Sequence, residues 1–311
     1  MSPIRLVIVG IGKIVRDQHI PNIEKNPRFV LAGGVSPHSI LEDTPMFKDL
    51  DALFASGTEF DAAAVCTPPQ VRHGLARQLL LAGKHVFLEK PPGATVSEVE
   101  DLAQTAKDKG LSLFASWHSR QAPGVEPAAE WLKGRKLKEV EIVWREDVRH
   151  WHPGQEWVWK AGGLGVFDPG INALSIATRI LPPFFVRKAE LEFPNNCEAP
   201  IAARIDYELD GGGPMSSDFD WRQTGPQTWD IRVDTQDGGA LRLSKGGTEL
   251  TIDGHAVDVG PEREYGALYD RFADVIEAGE LDADVRPLQQ VADAFLLGRR
   301  IETEAFYDPA R

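Results

Sequence analysis

Two glycines, one lysine and one aspartate stand where their types and spacing could do chemistry. In VIVGIGKIV (7–15), Gly10 and Gly12 follow an apolar run and precede a helical pattern. The first glycine permits a tight turn. The second, followed by Lys13 and Ile14, lets backbone amides approach a pyrophosphate at a helix N-terminus. Val15 occupies the third position, where such fingerprints carry a small residue, and this predicts a wider helix–strand spacing with the phosphate cradle intact. VSPHS (35–39) falls where an acidic residue would bind the adenosine ribose of NAD. Ser36 and His38 stand there instead, so no carboxylate repels a 2′-phosphate and both side chains can hydrogen-bond to one. The same residues also read as a plain turn. Lys90 ends an apolar run, and a side chain there points into the crevice where open α/β sheets bind ligands.

Asp168-Pro169 reads as a helix start, with Asp at the N-cap and Pro at N1. Asn172 lies four residues on, on the same side of the first turn. Glycines 162, 163 and 165 free the preceding backbone for close approach. Upstream, REDVRHWHPGQEWVW (145–159) sets carboxylates, imidazoles and indoles directly after a strand pattern. A sugar needs apolar platforms for its C–H faces and polar groups for its hydroxyls, and this segment offers both. Glu146, Trp151 and His152 are the preferred contacts, with His118 and Trp229 as lesser candidates. The same cluster reads almost equally as interface or core packing. His150 and His152 lack a convincing third ligand, so no metal is expected.

These residues need elements to hold them. Leu6–Val9, Phe29–Val35, Asp61–Cys66, His85–Glu89 and Leu111–Ser116 are short apolar runs bounded by turn residues, as strands covered on both faces would be. Helical patterns lie between them. Val71, Leu75 and Leu79 recur at i, i+4, i+8. Thr95 and Glu98 form a capping-box pattern ahead of Val99, Leu102 and Ala106, and Gly110 stops that helix. Strand–helix alternation of this kind predicts a parallel, doubly wound α/β domain over residues 1–119. Beyond it the pattern changes. Val140, Ile142 and Trp144 alternate with more polar neighbours, as do Ala203, Ile205, Tyr207 and Leu209. TWDIRVD (228–234), ALRLS (240–244) and TELTID (248–253) follow, separated by glycine turns. Two helices close the chain, one with Tyr265, Leu268, Phe272, Val275 and Ile276, the other opened by Pro287 and carrying Leu288, Val291, Phe295 and Leu296. Residues 120–311 are expected to form an α+β domain on a large open, mainly antiparallel sheet.

Composition narrows the function classes. Hydrophobic residues make up 42% and charged residues 26%, as in ordinary globular chains. A formal net charge of −13 repels polyanions and argues against nucleic acid as a partner. A local cradle of amides can still hold a phosphorylated cofactor in an acidic protein. Two cysteines are too few for a disulfide framework. No apolar run approaches a membrane span, and the N-terminus lacks the pattern of a signal peptide. A cytoplasmic protein acting on a small molecule is expected.

VIVGIGKI (7–14), CTPP (66–69) and LEKPP (88–92), in this order and spacing, resemble the Gfo/Idh/MocA oxidoreductases. GGLGVFDPGINAL (162–174) is similar to that family's second-domain motif, so the resemblance spans nearly the whole chain. It implies an N-terminal Rossmann domain followed by an open-sheet domain. It also implies that Lys90 works near the nicotinamide and the reacting carbon, with Glu89 as a crevice residue or a partner that tunes it. Thr67 and Pro68 would run along the cofactor. The family motif carries an Asp and, four residues later, a His; here the Asp is Asp168 and the His position is Asn172. An amide cannot act as a general base. An anomeric hydroxyl is more acidic than other sugar hydroxyls, and the ring oxygen stabilises the carbon that loses hydride. A weaker base then suffices: Asp168 or Lys90 takes the proton while Asn172 orients the hydroxyl. This fits the aldose 1-dehydrogenases of the family, acting on sugars of the D-galactose, L-arabinose or D-fucose type. The expected reaction oxidises the C1 hydroxyl of a pyranose to the aldonolactone, with NADP favoured and NAD also accepted. The alternatives are another family oxidoreductase, such as an inositol dehydrogenase-like enzyme acting on a ring hydroxyl, and a cofactor-sensing regulator without turnover. An exposed face of the second sheet could pair subunits.

Overall fold

Short runs of β-branched and small apolar residues become strands when both of their faces are covered. In the computed structural model of the chain, which describes residues 2–307, six such runs form one sheet. They are β1 (Ile4–Val9), β2 (Phe29–Val35), β3 (Met46–Phe47), β4 (Ala62–Val65), β5 (His85–Leu88) and β6 (Leu113–Ala115). Their order is β3-β2-β1-β4-β5-β6 and each neighbouring pair is parallel. The strand order reverses between β1 and β4, the switch point where such sheets open a ligand crevice beyond the strand ends.

Alternation along the strands sorts side chains to two faces. Leu6, Ile8, Ala62, Ala64 and Phe87 pack with α1 (Ile20–Lys25) and with a much later helix, Glu264–Ala278. Val7, Val9, Ala63, Val65, Val86 and Leu88 pack with α2 (Leu50–Ala55), α3 (Pro69–Leu81) and α4 (Val96–Lys109). α4 carries the Thr95/Glu98 capping box, buries Val99, Leu102 and Ala106, and ends at Gly110 with φ 64°. α3 differs from the expected stripe. Val71 is 55% exposed, and the buried residues are Pro69, Arg72, Ala76, Leu79 and Leu80. The helix turns Arg72 inward because its guanidinium has backbone carbonyls to reach there.

In the second part, α5 (Val125–Leu132), α6 (Val148–Trp151) and α7 (Phe167–Ile180) intersperse with the strands of a nine-stranded sheet. The strands are β7 (Leu137–Arg145), β8 (Phe184–Pro194), β9 (Ala202–Leu209), β10 (Met215–Asp220), β11 (Thr228–Thr235), β12 (Ala240–Ser244), β13 (Glu249–Ile252), β14 (His255–Val257) and β15 (Arg299–Thr303). The order is β14-β13-β12-β11-β7-β10-β9-β8-β15. Only the β7–β10 and β8–β15 pairs are parallel. One face buries the alternating residues Val140, Ile142, Trp144, Ile205, Tyr207, Ile231 and Val233. The opposite face is charged and internally paired, as in Arg204–Glu192 (3.1 Å), Arg232–Glu141 (2.7 Å) and Arg145–Asp218 (2.5 Å).

The Glu264–Ala278 helix is α8, and α9 (Arg286–Leu297) follows it. α9 buries Leu288 and Val291 as expected, but Phe295 is 38% and Leu296 81% exposed, so its last turn leaves the core. The chain divides into two compact units. One is the chain up to His118 together with Arg263–Val285; the other is Ser119–Glu262 together with the chain from Arg286 onward. A single cut after residue 119 therefore needs correction. α8 carries Tyr265, Leu268, Tyr269, Phe272 and Val275 into the core of the first unit, which a contiguous division would leave open. No helix among the described residues is long and apolar enough to cross a membrane.

Candidate functional site

Gly10 ends β1 with φ +90°, a conformation that L side chains rarely adopt. A Cβ there would lie 2.7 Å from Thr67 Cγ2 and 2.9 Å from the Thr67 nitrogen, so the glycine also admits the loop after β4. Gly12 is exposed, and a Cβ there would meet nothing. Helical backbone begins at Lys13, and residues 15–19 form a π-turn before α1. Val15 is fully buried at the start of that widened turn. Lys13 is exposed and pairs with Asp17, while Ile14 is 39% exposed. The Ser36 N–H donates to the Phe47 carbonyl, and its Oγ accepts the N–H groups of His38 and Ser39. Ser36 thus shapes the turn that presents His38, which is exposed. Arg16 was not singled out from the sequence, yet its guanidinium donates to the Ile40 carbonyl at 2.9 Å and brings a cation to that loop. Its only signal was position, one turn past the glycines.

The ends of β4 and β5 carry the next group. Arg72, 2% exposed, donates to the carbonyls of Thr67, Glu89 and Pro91 and so ties the two loops together. Pro68 precedes α3. Thr67 Oγ1 is buried without a hydrogen-bond partner among the described residues, which suits a loop meant to meet a bound group. That orphaned hydroxyl and the open space at Gly12 fit a dinucleotide cofactor. Lys90 is partly buried, and its backbone N–H donates to Glu89 Oε2 at 2.6 Å. Glu89 Oε1 accepts the Tyr265 hydroxyl at 2.7 Å and lies 3.2 Å from His19 Nε2. His19 Nδ1 is 2.7 Å from the Tyr269 hydroxyl, and Cys66 Sγ is 3.6 Å from His19 Nε2. Burial would raise the Glu89 carboxyl, but the hydrogen bond and charge of His19 hold it down at about 2. Burial would likewise lower His19, but Cys66, Tyr269 and Glu89 together raise it well above 6.5. His118 pairs with Glu264 at 2.7 Å and stacks on Tyr265.

The second unit gathers the remaining candidates. Glu146, 3% exposed, lies just past β7. Its Oε2 accepts the Trp229 indole N–H at 2.9 Å, and its Oε1 accepts that of Trp221 at 3.2 Å. His152 stands between two carboxylates, with Nε2 3.6 Å from Glu146 Oε1 and Nδ1 3.6 Å from Asp168 Oδ2. Its ring centroid is 5.2 Å from that of Trp221. Trp151 is 41% exposed and packs on Trp229 at 5.1 Å. Asp168 is 4% exposed but is not the N-cap of α7. The cap is Val166, and Asp168 lies in the first turn with its N–H on the Gly165 carbonyl. Gly165 has φ +53°, and a Cβ on it would sit 2.2 Å from the Pro200 carbonyl oxygen, so this approach fixes where the helix starts. Asn172 follows one turn later, half-buried. Glu146, Trp151, His152, Asp168 and Trp229 thus fall in one linked cluster. Trp221 completes it and was not foreseen, since a tryptophan just past a strand carries no distinguishing pattern. Among the described residues no group of three His, Cys, Asp or Glu side chains could hold a metal.

Residues 4–116 match the sequence profile of an oxidoreductase family with an NAD-binding Rossmann fold, that of Gfo/Idh/MocA proteins. Galactose 1-dehydrogenase of Pseudomonas fluorescens is 45% identical over 309 residues, covering 99% of this chain and all of that protein. The crystal structure of D-galactose-1-dehydrogenase from Rhizobium etli is 55% identical, covers 99% of both chains and gives a TM-score of 0.95. A 3-ketoreductase from Actinomadura kijaniata shares the fold at 18% identity and a TM-score of 0.80, over 97% of this chain and 99% of that one.

Proposed function

The chain belongs to the Gfo/Idh/MocA oxidoreductase family, and from this premise we infer that it is an aldose 1-dehydrogenase. It oxidises the anomeric hydroxyl of a pyranose to the aldonolactone. Its substrate is a sugar of the D-galactose, L-arabinose or D-fucose type, and the two galactose 1-dehydrogenases similar to it along their full lengths support the first of these. The observation that carries the reading is the buried Asp168 carboxylate in the first turn of α7, with Asn172 four residues on and His152 at 3.6 Å.

Bound cofactor supplies a hydride acceptor. The amides around Gly10 and Gly12, at the opening of the helix through Lys13 and Ile14, hold the pyrophosphate. Ser36, His38 and Arg16 surround the adenosine ribose with donors and no carboxylate, so NADP is favoured and NAD accepted. Thr67, Pro68, Glu89 and Lys90 line the nicotinamide end. In the sugar cluster, Trp151 and Trp229 offer apolar faces to the ring. Glu146, fixed by two indole donors, accepts a sugar hydroxyl through the lone pairs that remain. His118 is a further sugar contact. Asn172 orients the C1 hydroxyl, and Asp168 or Lys90 removes its proton as the C1 hydride departs. His152, bridging Asp168 and Glu146, returns to the cluster the imidazole that position 172 lacks, and it carries a proton away from Asp168. A cytoplasmic location fits an enzyme that draws on a cellular nicotinamide pool. Any pairing of subunits through the outward face of the second sheet is polar, given the ion pairs that cover it.

The test is a panel of free aldoses and their methyl glycosides with NADP and with NAD, read by reduced-nicotinamide absorbance. Free D-galactose, L-arabinose or D-fucose is expected to react, and hydroxylamine to trap the lactone as a hydroxamate. Methyl glycosides, whose anomeric oxygen carries no proton, are expected not to react. Oxidation of methyl glycosides at the same rate would place the hydride on another carbon. Cofactor binding without turnover on any sugar would instead favour a sensor.

A further inference from the structure

The residue beside Lys90 is the centre of a second constellation, whose other members, His19, Tyr265 and Tyr269, the proposed chemistry leaves unused. Glu89 is 4% exposed, and a buried carboxylate needs donors and a counter-charge to remain ionised. It has three: the N–H of Lys90 at 2.6 Å, the Tyr265 hydroxyl at 2.7 Å and His19 at 3.2 Å. His19 is 0% exposed, and its second ring nitrogen meets the Tyr269 hydroxyl at 2.7 Å. These groups sit among Phe29, Phe87 and Phe272, where apolar side chains alone would pack at lower cost. The polar cluster adjoins the backbone of Lys90, and His118 stacks on Tyr265 at its edge. Arg72 holds the carbonyls on either side, those of Glu89 and Pro91.

We infer that His19 and Glu89, braced by Tyr265 and Tyr269, form a positioning device that fixes the backbone of Lys90 and balances the charge beside it. The inference rests on the reading of Lys90 as catalytic. Glu89 alone would set an uncompensated negative charge one residue from the Lys90 ammonium; His19, protonated, cancels it. The two directions of titration agree, with Glu89 held down and His19 held up. Burial keeps both tyrosines neutral, with Tyr269 pushed up to about 12, so they act as fixed hydroxyls. The other groups facing the pair are Cys66 Sγ, 3.6 Å from His19, the Arg72 guanidinium, and His118 in its own pair with Glu264. This device also explains the late return of the chain to the first unit, because α8 delivers both tyrosines.

Opposite charge changes must then act oppositely on Lys90. His19→Gln leaves the carboxylate uncompensated and favours the ammonium, so the Lys90 limb of the kcat–pH profile moves up, by about half to one unit. Glu89→Gln leaves the imidazolium uncompensated and moves the same limb down. Tyr265→Phe, which keeps the ring and the packing, moves it up by less. In His19→Gln and Tyr265→Phe kcat falls about 10-fold or more while NADPH affinity, read by fluorescence titration, changes less than about threefold. The limb is assigned as the one that Lys90→Ala abolishes. Opposite shifts in His19→Gln and Glu89→Gln, with Tyr265→Phe between native and His19→Gln, bear the inference out. If Lys90→Ala turns over slowly and lacks the limb but no other variant moves it, the positioning device is refuted and the dehydrogenase reading stands. If Lys90→Ala turns over like the native protein, the assignment of Lys90 fails and takes the inference with it.

Discussion

His19 and Glu89 are charged because each answers the other, and this mutual dependence sets a pH window. The unfolded carboxyl titrates near 4.5 and the unfolded imidazole near 6.5. Glu89 is held lower in the folded chain, so its contribution to stability is full above pH 4.5 and is lost as the pH falls towards about 2. His19 is held higher, so its contribution is full below pH 6.5 and is lost as the pH rises through its folded value. The pair therefore stabilises most between these two values. Thermal melts of native protein and His19→Gln should differ most inside that window and converge on either side; a gap independent of pH would show that the two residues share no charge. Ser36 allows a second test. Its hydroxyl already accepts two turn N–H groups, and an aspartate can cap the same turn. Ser36→Asp should keep the fold and weaken NADP by about tenfold or more through like-charge repulsion, with NAD spared. An unchanged NADP-to-NAD ratio, measured by cofactor titration, would move the 2′-phosphate elsewhere. Lys90 and Glu89 were legible in the sequence as part of LEKPP. Their supports were not, because His19, Tyr265 and Tyr269 meet across separations of 70, 176 and 250 residues.

Elements were legible where their cause is local. The capping box at Thr95 and the glycine stop at 110 are written in neighbouring residues; the strands of the first sheet are continuous apolar runs, and those of the second follow period two. β3 has two residues, too few to show a period. α3 was turned away from its apparent stripe by Arg72, whose partners lie on other loops. The start of α7 shows the same limit. Asp168-Pro169 has the chemistry of a cap, yet Val166 is already helical at φ −55°, ψ −17°, because Gly165 bends the chain against Pro200. Gly165→Ala should therefore displace the first turn that carries Asp168. A strained positive φ costs roughly 1–3 kcal/mol, and a Cβ 2.2 Å from a backbone oxygen forces a further shift. Urea unfolding should show a loss of about 2 kcal/mol or more. The KM for the sugar should rise, with cofactor affinity nearly unchanged, since Gly165 belongs to the second unit. Native stability and KM in this variant would mean that the turn tolerates a side chain and does not fix Asp168.

Fold class was readable from strand–helix alternation, but the boundary between units was not, because folding joins segments that the chain order separates. Arg263–Val285 belongs with the first unit although Ser119–Glu262 intervenes. Its helix α8 looked amphipathic, as any surface helix does, and nothing in that pattern says which sheet it covers. The structure gives three reasons why the first unit needs it. Tyr265, Leu268, Tyr269, Phe272 and Val275 share one core with Leu6, Ile8, Phe87 and Phe114. The segment after α8 covers the edge strand β6, where the Ala115 N–H donates to the Asp282 carbonyl at 2.8 Å and Phe114 bridges Asp282. An uncovered edge strand is a template for aggregation. The Trp117 indole also donates to the Asp284 carbonyl at 2.8 Å. Each large apolar side chain left without its partner costs roughly 1.5–3 kcal/mol, and a domain's whole stability is only about 5–15 kcal/mol. Residues 1–119 expressed alone should therefore lack a cooperative thermal transition and tend to aggregate. The same fragment joined by a flexible linker to residues 263–285 should melt cooperatively and bind NADPH, as calorimetry and cofactor fluorescence would report. A cooperative, cofactor-binding 1–119 fragment would show instead that α8 merely rests on a core complete without it.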